Sequence, residues 1–430
     1  MKKIKLFGLD IPTFGLIAVV IIAAMYLGVL SKDLAGGLAI MFVIGTIFNE
    51  IGERIPIWNK YVGGGLVLAF LGTALLVQFN VIPKDYVKLI NSVNSKPMGM
   101  LNLFIIALIT GSILGLNRKL MIKSFAGYIP SILGGLLGAA VLGILVGLIF
   151  NITPIDIVIK YVLPVMGGGN GAGAVPLSQI YERVTGDASA NYYSFAISIL
   201  TIANIFAIIA GGVLNSIGNK KTSLTGDKNS LIKSDKEIVV QEEKFKIGIK
   251  EYAGAVLLGL AFYQAGKILS TLWDAYILPS VPIHQFAFMI VLVALANVMG
   301  VIPDKLRVAA KDVQSFFTKN LVLVIMVGVG ISTNLNKLIS AITLANVVIA
   351  LAIVIGAIFG SAIVGKLVGF YPIDTAVTAG LCMANRGGSG DIAVLGAADR
   401  MGLISYAQLS SRLGGGMVLV IASIMFGLFF

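Results

Sequence analysis

The chain has 430 residues, of which 57% are hydrophobic and only 12% charged, with a net charge of +12 and a mean hydropathy of +0.97. A soluble domain carries roughly 25% charged residues, so there is too little polar surface here for a water-soluble protein. The basic surplus reads as loop charge on one side of a membrane and not as a nucleic-acid footprint, while a lone Cys382 and a lone His284 exclude an internal disulfide, a multi-cysteine zinc cage and a multi-histidine metal site.

Lys2, Lys3 and Lys5 precede a first apolar run at 11–31. That run is long for a signal-peptide core and no clear small-residue cleavage site follows it, so it reads as an uncleaved span. Further runs of about 20 residues, the length a helix needs to cross hydrocarbon, lie near 35–51, 61–80, 98–116, 126–150 and 191–214. A second set lies near 251–272, 283–302, 319–334, 340–367 and 406–429, which predicts eleven transmembrane helices in an all-α polytopic membrane protein. Two segments, 156–186 and 372–400, are apolar but broken by glycine and proline. The stretch 215–250 mixes eight lysines with five acids and reads as a solvated cytoplasmic linker.

The halves on either side of that linker repeat. LNLFIIALITGSILGLNRKL (101–120) resembles KNLVLVIMVGVGISTNLNKL (319–338). Asn49 and Gly52 followed by Ile55-Pro56 echo Asn297 and Gly300 followed by Ile302-Pro303. Met166, Gly173 and Arg183 match Met383, Gly390 and Arg400 at a constant offset of 217. The expected organisation is an extra first span (1–34), a first five-helix repeat with a hairpin (35–214, hairpin 156–186), the linker, and a second repeat (251–430, hairpin 372–400). With the N-terminus inside and each span crossing once, 22 basic residues fall inside, eight outside, and Arg386 and Arg412 at membrane depth. That bias predicts N-in, C-out, with the three lysines of loop 81–97 against it. The second repeat then starts from the opposite side. Inverted repeats with interrupted helices are a signature of a secondary transporter with a midplane site.

The first broken segment reads PVMGGGNGAGAVPLSQIYE (164–182). Its five glycines expose backbone, and Pro176 restarts a helix. A re-entrant hairpin fits, with amide groups and helix N-termini at its tip that attract a carboxylate, in a place where non-helical backbone is sheltered by protein or faces a water-filled cavity. Close helix packing by small residues is the alternative. The second segment, CMANRGGSGDIAVLGAADR (382–400), adds Asn385, Arg386, Ser389 and Asp391. An arginine at the bilayer centre costs about 2.5–3.5 kcal/mol or more, and its planar fork takes a carboxylate bidentately. An Arg386–Asp391 structural pair is the other reading. Arg412 lies inside the last span, and no acidic residue follows Asp399. It faces either an anionic substrate or a partner from another span, such as Glu50. Asn385, Asp391, Ser389, Ser410 and Ser411 are hard oxygen donors that could surround a small cation. Gly387-Gly388-Ser389-Gly390 matches the Gly-x-Ser-Gly of rhomboid intramembrane proteases, but those need a later histidine and His284 comes earlier. There is no ATP-binding motif.

GGGNGAGAVPLS, NRGGSGD and SSRLGGG together closely resemble the 2-hydroxycarboxylate transporter family, over nearly the whole chain. The resemblance implies a homodimer in a bacterial cytoplasmic membrane, with a transport domain that moves as an elevator. It implies substrate contacts from Asn170, Gly171, Arg386, Gly388, Ser389 and Arg412, and sodium near both hairpin tips, for which Asn385, Asp391, Ser410 and Ser411 are the candidates. Sodium-coupled symport of citrate or malate is the expected function, with sodium as a co-transported ion and no organic cofactor. A proton-coupled transporter or a malate/lactate- or citrate/lactate-type exchanger is the rival. An anion channel and an intramembrane hydrolase are the remote alternatives, and enzyme activity is not expected.

Overall fold

In hydrocarbon every backbone N–H and C=O must find an internal partner, so apolar runs become helices. A computed structural model describes residues 5–56, 64–95, 98–115, 118–228, 231, 246–277, 283–333, 335–336, 343–387 and 389–430. Apart from a two-residue strand pair before the first helix, these are helices and short connections. The helices are α1 (Ile11–Tyr26), α2 (Leu34–Arg54), α3 (Gly64–Gln78), α4 (Lys84–Asn94), α5 (Met100–Leu114) and α6 (Arg118–Ile149). Next come α7 (154–166), α8 (170–185) and α9 (Ser189–Lys220), then α10 (Ile249–Ile277), α11 (Gln285–Met299) and α12 (Asp304–Ile331). The last four are α13 (Leu344–Leu367), α14 (372–381), α15 (Ser389–Ala397) and α16 (Tyr406–Phe429). Their starts are set locally. Asp10, Asp33, Thr153 and Thr343 each accept a backbone N–H of the first turn.

Seven helices among the described residues are long and apolar enough to cross a membrane: α2, the 127–149 part of α6, α9, α10, α12, α13 and α16. Four more, α1, α3, α5 and α11, are apolar but shorter. The chain is a polytopic integral membrane protein, helical throughout the described residues apart from that strand pair.

Two segments between spans are helical where loops are expected. Residues 84–94 form α4, which buries Tyr86, Leu89, Ile90 and Val93. That i, i+3, i+4, i+7 stripe on an otherwise polar segment is an amphipathic helix. Residues 304–316 are helical too and run through a wide turn into the apolar part of α12. Each of these helices follows Val-Ile-Pro, at 81–83 and at 301–303, where proline is tolerated because a helix start has no intrahelical use for its N–H. Of the linker, only 215–228, 231 and 246–250 fall within the described residues.

The helices pack into two compact units, one of residues 1–105 with 315–339, the other of 106–314 with 340–430. In the first, Met41, Ile44, Ile90, Val93, Val324 and Val327 share a core. In the second, α6 and α13 cross with backbones in contact. A Cβ on Gly138 would collide with the Gly356 carbonyl, and one on Gly356 with that of Gly138. Small residues at a four-residue spacing (Gly134 and Gly138, Gly356 and Gly360) allow this approach in lipid, where dispersion contacts replace the hydrophobic drive.

Candidate functional site

Both broken segments are a helix, a bend and a second helix, and each opens with Pro-Ile-Asp, at 154–156 and 372–374. In the first, α7 stops at Gly167, the chain passes through Gly168 (φ +80°) and Gly169 (φ +105°), and α8 begins at Asn170. Both arms lie against α9. The Tyr192 hydroxyl donates to the Ile159 carbonyl at 2.7 Å, while its ring stacks on Tyr181 at 4.8 Å. In the second, α14 ends at Leu381, Gly387 takes φ +70°, and α15 starts at Ser389.

The two bends and α16 meet backbone to backbone. The Asn170 N–H donates to the Arg386 carbonyl at 3.2 Å. A Cβ on Gly169 would collide with that same carbonyl, one on Gly168 with the Ser411 carbonyl, and one on Gly415 would stand 2.7 Å from the Gly167 carbonyl. Glycine is therefore required at 168 and 169 twice over, by the left-handed backbone and by the lack of room. Close packing, one of the two explanations in the sequence, applies to these bends. The turns at 157–162, 170–174, 376–381 and 410–414 are widened to π geometry, a feature that recurs at functional sites.

Asn170 is buried, and its Oδ1 accepts from the Tyr193 hydroxyl at 2.6 Å. Gly171 beside it and Arg386 are partly exposed. Gly388 lies outside the described residues, and Ser389 is placed only as the first residue of α15. Arg412 is partly exposed within the π turn of α16. Among the described residues its guanidinium has no hydrogen-bond acceptor and no carboxylate within ion-pair distance. Glu50, the alternative partner, pairs with Arg54 in its own helix at 2.7 Å.

Three of the four cation candidates form one network. Asp391, 2% exposed, accepts from Asn385 Nδ2 at 3.1 Å and from the Ser411 hydroxyl at 2.8 Å. The Cys382 carbonyl lies 3.2 Å from Ser411 Oγ, and the Leu381 carbonyl accepts from Asn385. This is a set of hard oxygens of the kind that suits s-block cations. Ser410 points elsewhere, to Tyr128, whose hydroxyl is 2.7 Å from its Oγ and also donates to the Tyr406 carbonyl.

Several polar residues around the bends have no signal in the glycine motifs. Tyr193 and Asn204 on α9 reach Asn170 and the Arg386 N–H, the latter at 3.3 Å. A lone Asn within an apolar span is itself a cue, because an amide in that setting needs partners. Arg400, which reads from the sequence as an inside loop charge, has no exposed surface. Its Nε donates to Asp374 at 2.6 Å, and its other nitrogens reach Asn215, Thr225 and the Ala398 carbonyl. The Gly226 N–H donates to the second Asp374 oxygen at 2.7 Å, and Lys228 pairs with Asp399.

The model of the 2-hydroxycarboxylate transporter family matches residues 6–424. A citrate/sodium symporter of Klebsiella pneumoniae is 50% identical over 431 residues, covering 99% of this chain and 95% of that protein. One of Salmonella typhimurium is 49% identical over 435 residues, covering 100% and 96%. A Na(+)-malate symporter of Bacillus subtilis is 33% identical over 425 residues, covering 98% and 92%. With coverage of this extent, the chain belongs to the 2-hydroxycarboxylate transporter family and is a membrane transporter, not an enzyme.

Proposed function

We propose that the protein couples sodium to the uptake of a 2-hydroxy di- or tricarboxylate, with citrate the first substrate to test. The observation that carries this reading is Arg412, a partly buried guanidinium without a partner among the described residues, on a helix packed against two glycine bends. A cation in such a place is stabilised by an anionic ligand. Identity near 50% to citrate/sodium symporters, against 33% to a sodium–malate symporter, favours citrate. Arg412, Arg386, Ser389 and Gly388, with Asn170 and Gly171 of the first bend, hold the substrate. Asn385, Asp391 and Ser411 with nearby carbonyls hold a sodium ion, and Ser410, bonded to Tyr128, stands beside them.

In the same reading the two bends are tips of re-entrant hairpins in inverted repeats 35–214 and 251–430, after the extra span at 1–34. The chain crosses a bacterial cytoplasmic membrane eleven times, N-in and C-out, works as a homodimer, and carries substrate by an elevator motion. The four shorter apolar helices lie within the four predicted spans that the seven long ones leave, which supports eleven crossings. The bends' mutual contact and the shared Pro-Ile-Asp openings support the repeat.

The test is uptake of labelled citrate, malate and lactate into proteoliposomes under an imposed sodium gradient, a pH gradient, or internal lactate. Sodium-driven accumulation of citrate is expected. Accumulation driven only by the pH gradient or by internal lactate overturns sodium coupling and establishes the proton-coupled or exchange reading. Flux without coupling would indicate a channel.

A further inference from the structure

Asn204 lies at the middle of α9 with no exposed surface, in the apolar run TIANIFAI. An amide there is costly unless its hydrogen bonds are made. Its oxygen is engaged, because the Arg386 N–H donates to Oδ1 at 3.3 Å. That bond also fixes the orientation of the amide, since an NH2 group cannot accept. Its Nδ2 is buried and, among the described residues, has no hydrogen-bond partner.

The geometry tells where the amide lies. A Cβ on Gly390 would stand 3.2 Å from Asn204 Oδ1 and 2.7 Å from Asn385 Oδ1, so the two amides flank the first turn of α15. The Asn204 amide therefore sits at a helix N-terminus, where backbone N–H groups lack intrahelical acceptors and the helix field favours an anion. A group that only donates excludes a cation as its ligand. Between a hydroxyl and a carboxylate oxygen, the helix N-terminus selects the charged one.

We infer that Asn204 is a further substrate-binding residue, whose Nδ2–H donates to a carboxylate oxygen of the substrate at the start of α15, beside Arg386. The inference rests on the carboxylate-symport reading above. It adds α9 to the elements that contact the substrate, and it accounts for a polar residue in the middle of an apolar helix.

The experiment measures citrate uptake by proteoliposomes of wild type, Asn204→Asp and Asn204→Leu, with citrate varied at saturating sodium and sodium varied at saturating citrate, and with thermal unfolding of each purified protein without substrate. Asn204→Asp keeps an acceptor for the Arg386 N–H, removes the donor and adds a repelling charge. Its KM should rise about tenfold or more, the loss expected when a hydrogen bond to a charged group is removed. Turnover at saturating citrate and the sodium concentration for half-maximal rate should stay within about threefold, because the donor is needed for binding citrate and not for sodium. A KM within about twofold of wild type in a normally unfolding Asn204→Asp overturns the assignment. If that variant fails to fold, Asn204→Leu decides by the same thresholds. Wild type that accumulates no carboxylate overturns the symport reading itself, a result seen before any variant is assayed.

Discussion

Replacing Arg400 by Met tests the buried network at the base of the second broken segment. Asp374 and Arg400 are 2.6 Å apart and neither side chain is exposed. Removing the guanidinium leaves a buried carboxylate held, among the described residues, by the Thr225 hydroxyl and the Gly226 N–H, and breaking a buried pair in this way costs about 3–5 kcal/mol. Removing both charges, as in Arg400→Met with Asp374→Leu, eliminates the uncompensated ion. It leaves Thr225 and Gly226 without their acceptor, at about 1–3 kcal/mol for each unsatisfied group. The double variant should therefore lose about 2–6 kcal/mol, comparable to Arg400→Met alone and well short of the sum of two single losses. Denaturant unfolding of the purified protein in detergent, carried through the four corners of the cycle, gives the coupling energy. An Arg400→Met variant within about 1 kcal/mol of wild type, or additive losses in the double, would refute the reasoning, because either result requires water at the pair.

Arg412→Lys should keep membrane levels and unfolding temperature and weaken substrate affinity, because an ammonium cannot reproduce a planar fork; Arg386→Ala should weaken it at least as much. Near wild-type affinity in both would remove them as ligands. Asp391→Asn should flatten the dependence of uptake on sodium while leaving its Ser411 and Asn385 contacts an amide to bond to; an unchanged sodium curve assigns Asp391 to holding the bend. Gly169→Ala should abolish transport at normal expression, since a Cβ there meets the Arg386 carbonyl at φ +105°; wild-type uptake would contradict the tip contact. Reporter fusions at Ser230 and after Phe430 should report opposite sides of the membrane, and the same side for both would break the eleven-span topology.

The spans and bends were legible because they rest on local chemistry. Apolar run length sets the former, and glycine that cannot be replaced without collision marks the latter. Arg412 was legible for a different reason: with no acid after Asp399 in the chain, its isolation is visible in one dimension. The helix at 84–94 was within reach, since its apolar stripe is periodic, but its lysines read first as loop charge. Arg400 was not legible. Its partners Asn215, Thr225 and Asp374 are brought to it by tertiary packing, and nothing near it in the chain announces them. The same holds for Tyr193 and Tyr128, whose hydroxyls find Asn170 and Ser410 across helices. Ser410 and Ser411 are adjacent in sequence and look equivalent, yet a helix sends neighbours about 100° apart, one to Tyr128 and the other to Asp391.

The residues after α9 bear on how the two halves are joined. Thr225, Gly226, Lys228 and Leu231 follow the first half in the chain, yet they bond to Asp374, Arg400, Asp399 and the Tyr371 N–H of the second. The first half thus ends in a clasp that fastens onto the second. A protein cut between Ile232 and Phe245 and expressed as two polypeptides would carry that clasp on the first fragment and its socket on the second. Such fragments should assemble without a covalent link, whereas a cut between Lys221 and Thr225 would strand the clasp on the wrong piece. Where the chain is severed, and not merely that it is, would decide whether the halves find each other.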